Sequence, residues 1–142
     1  MKKLINLSFI YTIAALASGV FYREFTKSLD FTGRTSLAFT HLHLFVLGTM
    51  VFLILALFSL HTDILNQKSF KSFFILYNIG LPFMVIMFFV RGILQALETP
   101  LSKGADAAIA GISGLSHIIM AIAIVLLFLC LKKIRPNLKT SN

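Results

Sequence analysis

The stretch TSLAFTHLHLFVLGTMVFLILALFSLHT, residues 35–62, carries no formal charge from end to end. It exceeds the run of about 20 apolar residues that a helix needs to cross a bilayer core. Three further charge-free runs lie at 4–22, 72–90 and 107–131. A Lys or Asp at the bilayer centre costs roughly 3 kcal/mol on insertion scales, whereas Leu, Ile, Phe and Val are favourable there. Four such runs in 142 residues therefore predict an all-α membrane protein. The expected architecture is a single domain over 1–142, an up-down bundle of four transmembrane helices at about 4–22, 36–60, 72–97 and 107–131.

Composition agrees. Hydrophobic residues make up 58% and charged residues 13%, about half the charged share of an average soluble domain, and Phe occurs fifteen times. The connections between runs are too short to fold on their own, which argues for one domain. The single cysteine, Cys130, excludes an intramolecular disulfide, and its neighbours Leu129 and Leu131 mark it as a packed or lipid-facing thiol.

A net charge of +8 raises the question of nucleic acid, and the placement of the charges answers it. In a chain that alternates across a membrane, Lys2, Lys3, Lys68, Lys71, Lys132, Lys133, Arg135 and Lys139 all fall on one side. The other side holds Arg23, Lys27, Arg34 and Lys103 together with Glu24, Asp30, Glu98 and Asp106. The lysine-rich side is expected to be the cytoplasm, with both termini there and the basic clusters facing anionic headgroups. The expected partner is the lipid bilayer of a bacterial cytoplasmic membrane, not nucleic acid. The first run also fits a cleavable signal peptide, with Lys2 and Lys3 before it and Ala15-Leu16-Ala17 inside it. It continues to Val20, Phe21 and Tyr22, however, and interfacial aromatics favour a retained helix.

Punctuation draws the helices coarsely. Asp30, Thr32, Gly33 and Ser36 are candidate caps for the second helix, which ends near His61; the third begins near Ser69, runs past Arg91 to Leu97, and is expected to kink at Pro82. The fourth begins between Ala105 and Gly111 and stops before Arg135-Pro136.

Polar residues inside apolar helices carry the functional reading, because each must face a partner, a cavity or a ligand. On a 100° wheel His41 shares a stripe with Gly48, Phe52 and Ser59, which points inward, while His43 shares one with Leu47, Met50 and Ile54, which points to lipid or packing. His117 stands in a face of small residues with Ala110, Gly114 and Ala121. That face suits either close helix packing or a planar cofactor. Arg91 lies near the outer end of the third helix, where it must snorkel, pair with Glu24 or Asp106, or hold an anion. Counted at 1.5 Å per residue from the inner helix ends, His41 sits about 9 Å and His43 about 6 Å further out than His117.

From Phe21-Tyr22-Arg23-Glu24-Phe25 through His41-Leu42-His43-Leu44 and Val90-Arg91-Gly92 to Ser116-His117-Ile118, the chain resembles a family of small bacterial four-span membrane proteins of unknown function. Locally, His41-Leu42-His43-Leu44 is similar to the second helix of haem-copper oxidase and nitric oxide reductase catalytic subunits, where the first histidine ligates a low-spin haem. That resemblance implies a haem b with His41 and His117 as iron ligands, His43 as a further metal-ligand candidate, Arg91 toward a propionate, and Gly48 and Gly114 giving room. It does not extend to oxygen reduction, because the copper-binding histidines have no counterparts.

Two other classes stand beside the haem reading. One is a non-catalytic accessory or assembly subunit that docks a second copy or another membrane protein through small-residue faces. The other is a metal-ion binder or transporter. No phosphate loop, dinucleotide fingerprint or nucleophile elbow supports an enzyme of those kinds.

The charge asymmetry yields a direct test of orientation. Reporter fusions after Asn66 and Asn142 are expected to be cytoplasmic and those after Asp30 and Lys103 external; an external C-terminus reverses the assignment.

Overall fold

The computed structural model describes residues 1–135 of the chain, so Lys139 of the basic set lies outside the described residues. Four helices span a membrane by length and composition: α1 (Lys2–Ser28), α2 (Ala38–His61), α3 (Lys68–Ala96) and α4 (Lys103–Leu131). A single 3₁₀ turn, Ile64–Asn66, joins α2 to α3. The protein is a multi-pass membrane protein with large apolar side chains on its outside: Phe9, Val20, Leu57 and Phe128 are 60–64% exposed. Water would not tolerate that surface, and hydrocarbon does.

The helices overrun the charge-free runs because nothing at their ends breaks them. α1 continues through Arg23 and Glu24 until Leu29, followed by Asp30 at φ 49°, a left-handed conformation that Asp tolerates better than most residues. α3 stops in the same way, with Glu98 at φ 49° after Leu97. α3 stays one helix through Pro82. α4 starts on a side-chain cap, the Ser102 hydroxyl accepting from the Ala105 N–H at 3.2 Å, with Asp106 in its first turn against the positive end of the helix dipole.

The chain folds as two antiparallel hairpins, α1 on α2 and α3 on α4, joined where α3 packs on α2. Their common core is aromatic. Tyr11 of α1 stacks on Phe52 of α2 at 5.7 Å, and Phe52 meets Tyr77 of α3 edge-on at 5.5 Å. Leu81, Met120, Ala123 and Cys130 complete this buried cluster. Buried Tyr11, Ala15 and Ser18 make α1 a full member of the bundle.

The two ends are closed differently. At the end carrying both Met1 and Arg135, called proximal here, the Asp63 N–H donates to the Arg135 carbonyl at 3.2 Å and the Asp63 carboxylate accepts from the Arg135 N–H at 2.8 Å. At the distal end the Thr35 hydroxyl donates to the Gly92 carbonyl at 2.6 Å and the Ser36 N–H donates to Gln95 Oε1 at 2.7 Å. Gly92 admits this crossing because a Cβ there would lie 2.5 Å from the Leu37 backbone nitrogen.

α2 departs from a regular helix between Leu44 and Met50, a π-helical segment. Each π turn takes in one residue more than an α-turn, so residues before it rotate by about 100° relative to those after it. Returning to i→i+4 bonding also leaves a carbonyl short of its intrahelical donor. Hydroxyls from two other helices serve this segment: Tyr77 of α3 donates to the Leu47 carbonyl at 2.8 Å and Ser8 of α1 donates to the Thr49 carbonyl at 2.9 Å. Thr12 adds a contact to the Thr49 hydroxyl at 3.0 Å. Gly48 lies in the middle, where a Cβ would stand 2.5 Å from the Tyr11 ring.

Two substitutions probe this junction. Gly48→Val overpacks the α1–α2 contact and is expected to lower stability by about 1–3 kcal/mol. Tyr77→Phe removes one hydrogen bond and is expected to cost about 1 kcal/mol. Thermal unfolding in detergent reads both; a Gly48→Val protein as stable as wild type would mean that the helices do not approach closely there.

Candidate functional site

His43 is the last residue of α2 before the π segment. Its Nδ1 lies 2.8 Å from the Phe39 carbonyl one turn earlier. A carbonyl only accepts, so Nδ1 carries a proton, and in the neutral ring Nε2 is left with its lone pair. His117 of α4 repeats the arrangement, its Nδ1 lying 2.8 Å from the Ser113 carbonyl. The Ser116 hydroxyl donates to the same carbonyl at 2.7 Å. Two helices thus present imidazoles in one tautomer, each tied to its own backbone.

Both imidazoles touch the same side chain. The ring of Phe88, on α3, lies 4.7 Å from His43 and 5.8 Å from His117 between centroids, edge-on to each. Phe39 lies 6.2 Å from Phe88 and 6.5 Å from His43. Cα–Cβ bonds tilt toward a helix's N-terminus, so His43 and His117 both lean distally from descending helices, which leaves the offset between them unchanged, while Phe88 leans proximally from an ascending one and touches both.

His41 takes a different place. It is exposed, and a Cβ added at Gly19 of α1 would come 3.7 Å from its side chain. The wheel that put His41 on the inward stripe with Gly48 assumes an unbroken 3.6-residue period, and the π segment between them breaks it. The interior place goes to Thr40, 1% exposed, whose hydroxyl has no hydrogen-bond partner among the described residues. His43, assigned by the same wheel to lipid or packing, is half-buried against Phe88 of α3.

Among the other sequence candidates, Gly48 faces Tyr11 and serves helix packing, on a side of α2 remote from Phe88. Gly114 and Gly111 are open, with no atom within 4 Å of an added Cβ. Arg91, one turn distal to Phe88 on α3, contacts Asp106 through Nη2 at 3.4 Å, with both side chains substantially exposed. Glu24, the other carboxylate expected near it, stands 3.9 Å from Arg23. Among the described residues no three His, Cys, Asp or Glu side chains are grouped to hold one metal ion, so His41, His43 and His117 do not form a common protein-only metal centre.

Sequence reading missed Phe88, Phe39, Thr40 and Gly92. Phe88 is one of fifteen phenylalanines, and nothing local distinguishes it. Its signal is positional: it lies three residues before Arg91, hence on the same face.

No curated protein and no solved structure matches the chain. A family model matches residues 1–134, which bears out the whole-chain resemblance and does not extend to the local haem-copper one. The chain belongs to the family described as "Protein of unknown function (DUF2871)".

Proposed function

We propose that this protein binds a b-type haem in a bacterial cytoplasmic membrane, its termini in the cytoplasm, with Nε2 of His43 and of His117 as the two iron ligands. The observation that carries the reading is the matched pair of Nδ1–carbonyl hydrogen bonds on either side of Phe88. Metal-ligating histidines characteristically donate the other ring N–H to a carbonyl or carboxylate, which fixes the tautomer and raises the basicity of the ligating nitrogen. His43 is half-buried and His117 exposed, and an imidazole nitrogen without a partner at membrane depth is costly, which favours an occupant for the pair.

Arg91 stands one turn from Phe88 with a partner it can exchange for a propionate, whereas Gly111 and Gly114 lie on the opposite face of α4 and give the group no room. Phe88 occupies the gap between the imidazoles, so its ring must turn out when a planar group enters. The haem would supply one-electron chemistry at its iron, serving electron transfer or the sensing of haem or a gas. The chain supplies two neutral ligands, an apolar surround and one cation.

A second reading is favoured by a different observation. α4 packs on α3 and leaves its opposite face, with Gly111, Gly114, Leu115 and Ile118, uncovered. Small residues facing lipid are a helix-docking surface in membrane proteins. On this reading the chain is an accessory or assembly subunit whose partner is a second copy or another membrane protein.

Visible spectroscopy of protein expressed with haem available separates the two. Bis-imidazole ligation is expected to give a sharp Soret band and split visible bands on reduction. His43→Ala and His117→Ala should lose the low-spin spectrum, His41→Ala should keep it, and Phe88→Ala should bind haem at least as well as wild type. Arg91→Leu should weaken retention without unfolding the bundle. Loss in His41→Ala but not in His43→Ala would make His41 the ligand; a colourless protein with unaltered stability in all variants would leave the accessory reading.

A further inference from the structure

Two helices begin at the proximal end, and each begins with charges opposed to its own dipole. The first turn of α1 contains Lys2 and Lys3, and that of α3 contains Lys68 and Lys71. Neither first turn holds an acid, and neither helix has a side-chain cap. A helix N-terminus carries about half a positive charge and favours anions, so lysines there add like charge to like. α4, which starts at the distal end, also opens on a lysine, Lys103, but there Ser102 caps the helix and Asp106 in the first turn offsets the charge. The proximal end therefore concentrates positive charge that the chain does not neutralise locally. Asp63, the acid in the connection between α2 and α3, already accepts from the Arg135 N–H and from Gln67 Nε2.

Between these two helix starts lies a groove of about 330 Å³. Leu4, Leu65, Phe70 and Phe74 wall it, and Lys3 and Lys71 stand at its rim. Leu4 and Phe70 are buried, so the wall is fixed by the bundle core, while both lysines are exposed. An apolar slot opening under two cations at the end of a membrane bundle matches an amphiphile with one negative headgroup. A small inorganic anion would meet the lysines and leave the walls uncovered. A zwitterionic lipid would bring a cation to a site that already has too many.

We propose that this groove is a binding site for an anionic phospholipid, its phosphate received by Lys3 and Lys71 at the N-termini of α1 and α3 and an acyl chain lying on Leu4, Leu65, Phe70 and Phe74. The site is independent of the histidine pair, which lies beyond the π segment toward the distal end.

Native mass spectrometry of the full chain, released from detergent with phosphatidylglycerol or phosphatidylcholine at equal concentration, tests it. Phosphatidylglycerol should be retained as a single adduct in preference to phosphatidylcholine. The double variant Lys3→Gln/Lys71→Gln should reduce that preference about thirtyfold, the scale of two lysine contacts to an anionic headgroup. Lys2→Gln/Lys132→Gln, which removes the same charge elsewhere at this end, should leave it unchanged. Leu65→Ser, at a position 42% exposed, should weaken the adduct while keeping the headgroup preference. Equal losses in the two double variants would overturn the site in favour of diffuse attraction. Displacement of the lipid by millimolar inorganic phosphate would overturn the lipid in favour of a free anion, and equal retention of both lipids would overturn the charge argument.

Discussion

The structure depends on a step in one helix. Between Leu44 and Met50 α2 opens into π geometry, and the carbonyls of Leu47 and Thr49 receive hydroxyls from Tyr77 and Ser8 on two different helices. In hydrocarbon a carbonyl has no water to fall back on, so a π step is stable only where the protein supplies donors. The need is mutual for Tyr77, whose hydroxyl reaches the Leu47 carbonyl from a neighbouring helix. The step thereby ties α1 and α3 to the same turn of α2, and it sets the rotation of everything on the distal side of that turn, His43 included.

How far the sequence could be read follows from this step. Charge-free runs located all four helices, because the cost of a charge in lipid acts residue by residue and needs no tertiary information. The ends were less legible: α1 runs on to Ser28 through Arg23 and Glu24, since a helix end in the interfacial region is set by a chain reversal such as Asp30 and not by polarity. The histidines were legible as a set, but the inward face was given to His41 and the outward one to His43, where the structure has His41 exposed and His43 half-buried. Periodicity placed Gly48, Phe52 and Ser59 on one face and carried that face across to His41, but an inserted residue between them moved it to Thr40. π steps have no reliable sequence signature; their sign appears only when hydroxyls on other helices are found at the carbonyls concerned.

Packing explains why Phe88 stands between His43 and His117. Apolar side chains gain little by leaving lipid for one another, so membrane helices associate through close approach and hydrogen bonds. Both concentrate in two places: the α1–α2 face, with Gly48 under Tyr11 and the Ser8, Thr12 and Thr49 hydroxyls, and the α3–α4 face, with Gly80 under Ile119 and Met120. Few such contacts join α2 to α4. The bundle is consequently two tight pairs with a seam along α3, and Phe88 fills that seam between the two histidines.

Electrostatics at the distal end bears on what that seam can accept. Asp106 faces two positive groups, the N-terminus of α4 and the Arg91 guanidinium at 3.4 Å. An exposed ion pair of this kind contributes on the order of 0–1 kcal/mol, so exchanging it for another anion costs little. The helix dipole keeps Asp106 favourably placed even when Arg91 turns away, which frees Arg91 more cheaply than a carboxylate with no second partner would. A cation held loosely one turn from Phe88, with its counter-ion satisfied independently, would therefore be available to a carboxylate on a ligand of the kind proposed for His43 and His117. A fully buried Arg91–Asp106 pair would instead have closed the mouth of the seam, because separating it would strand a charge in hydrocarbon.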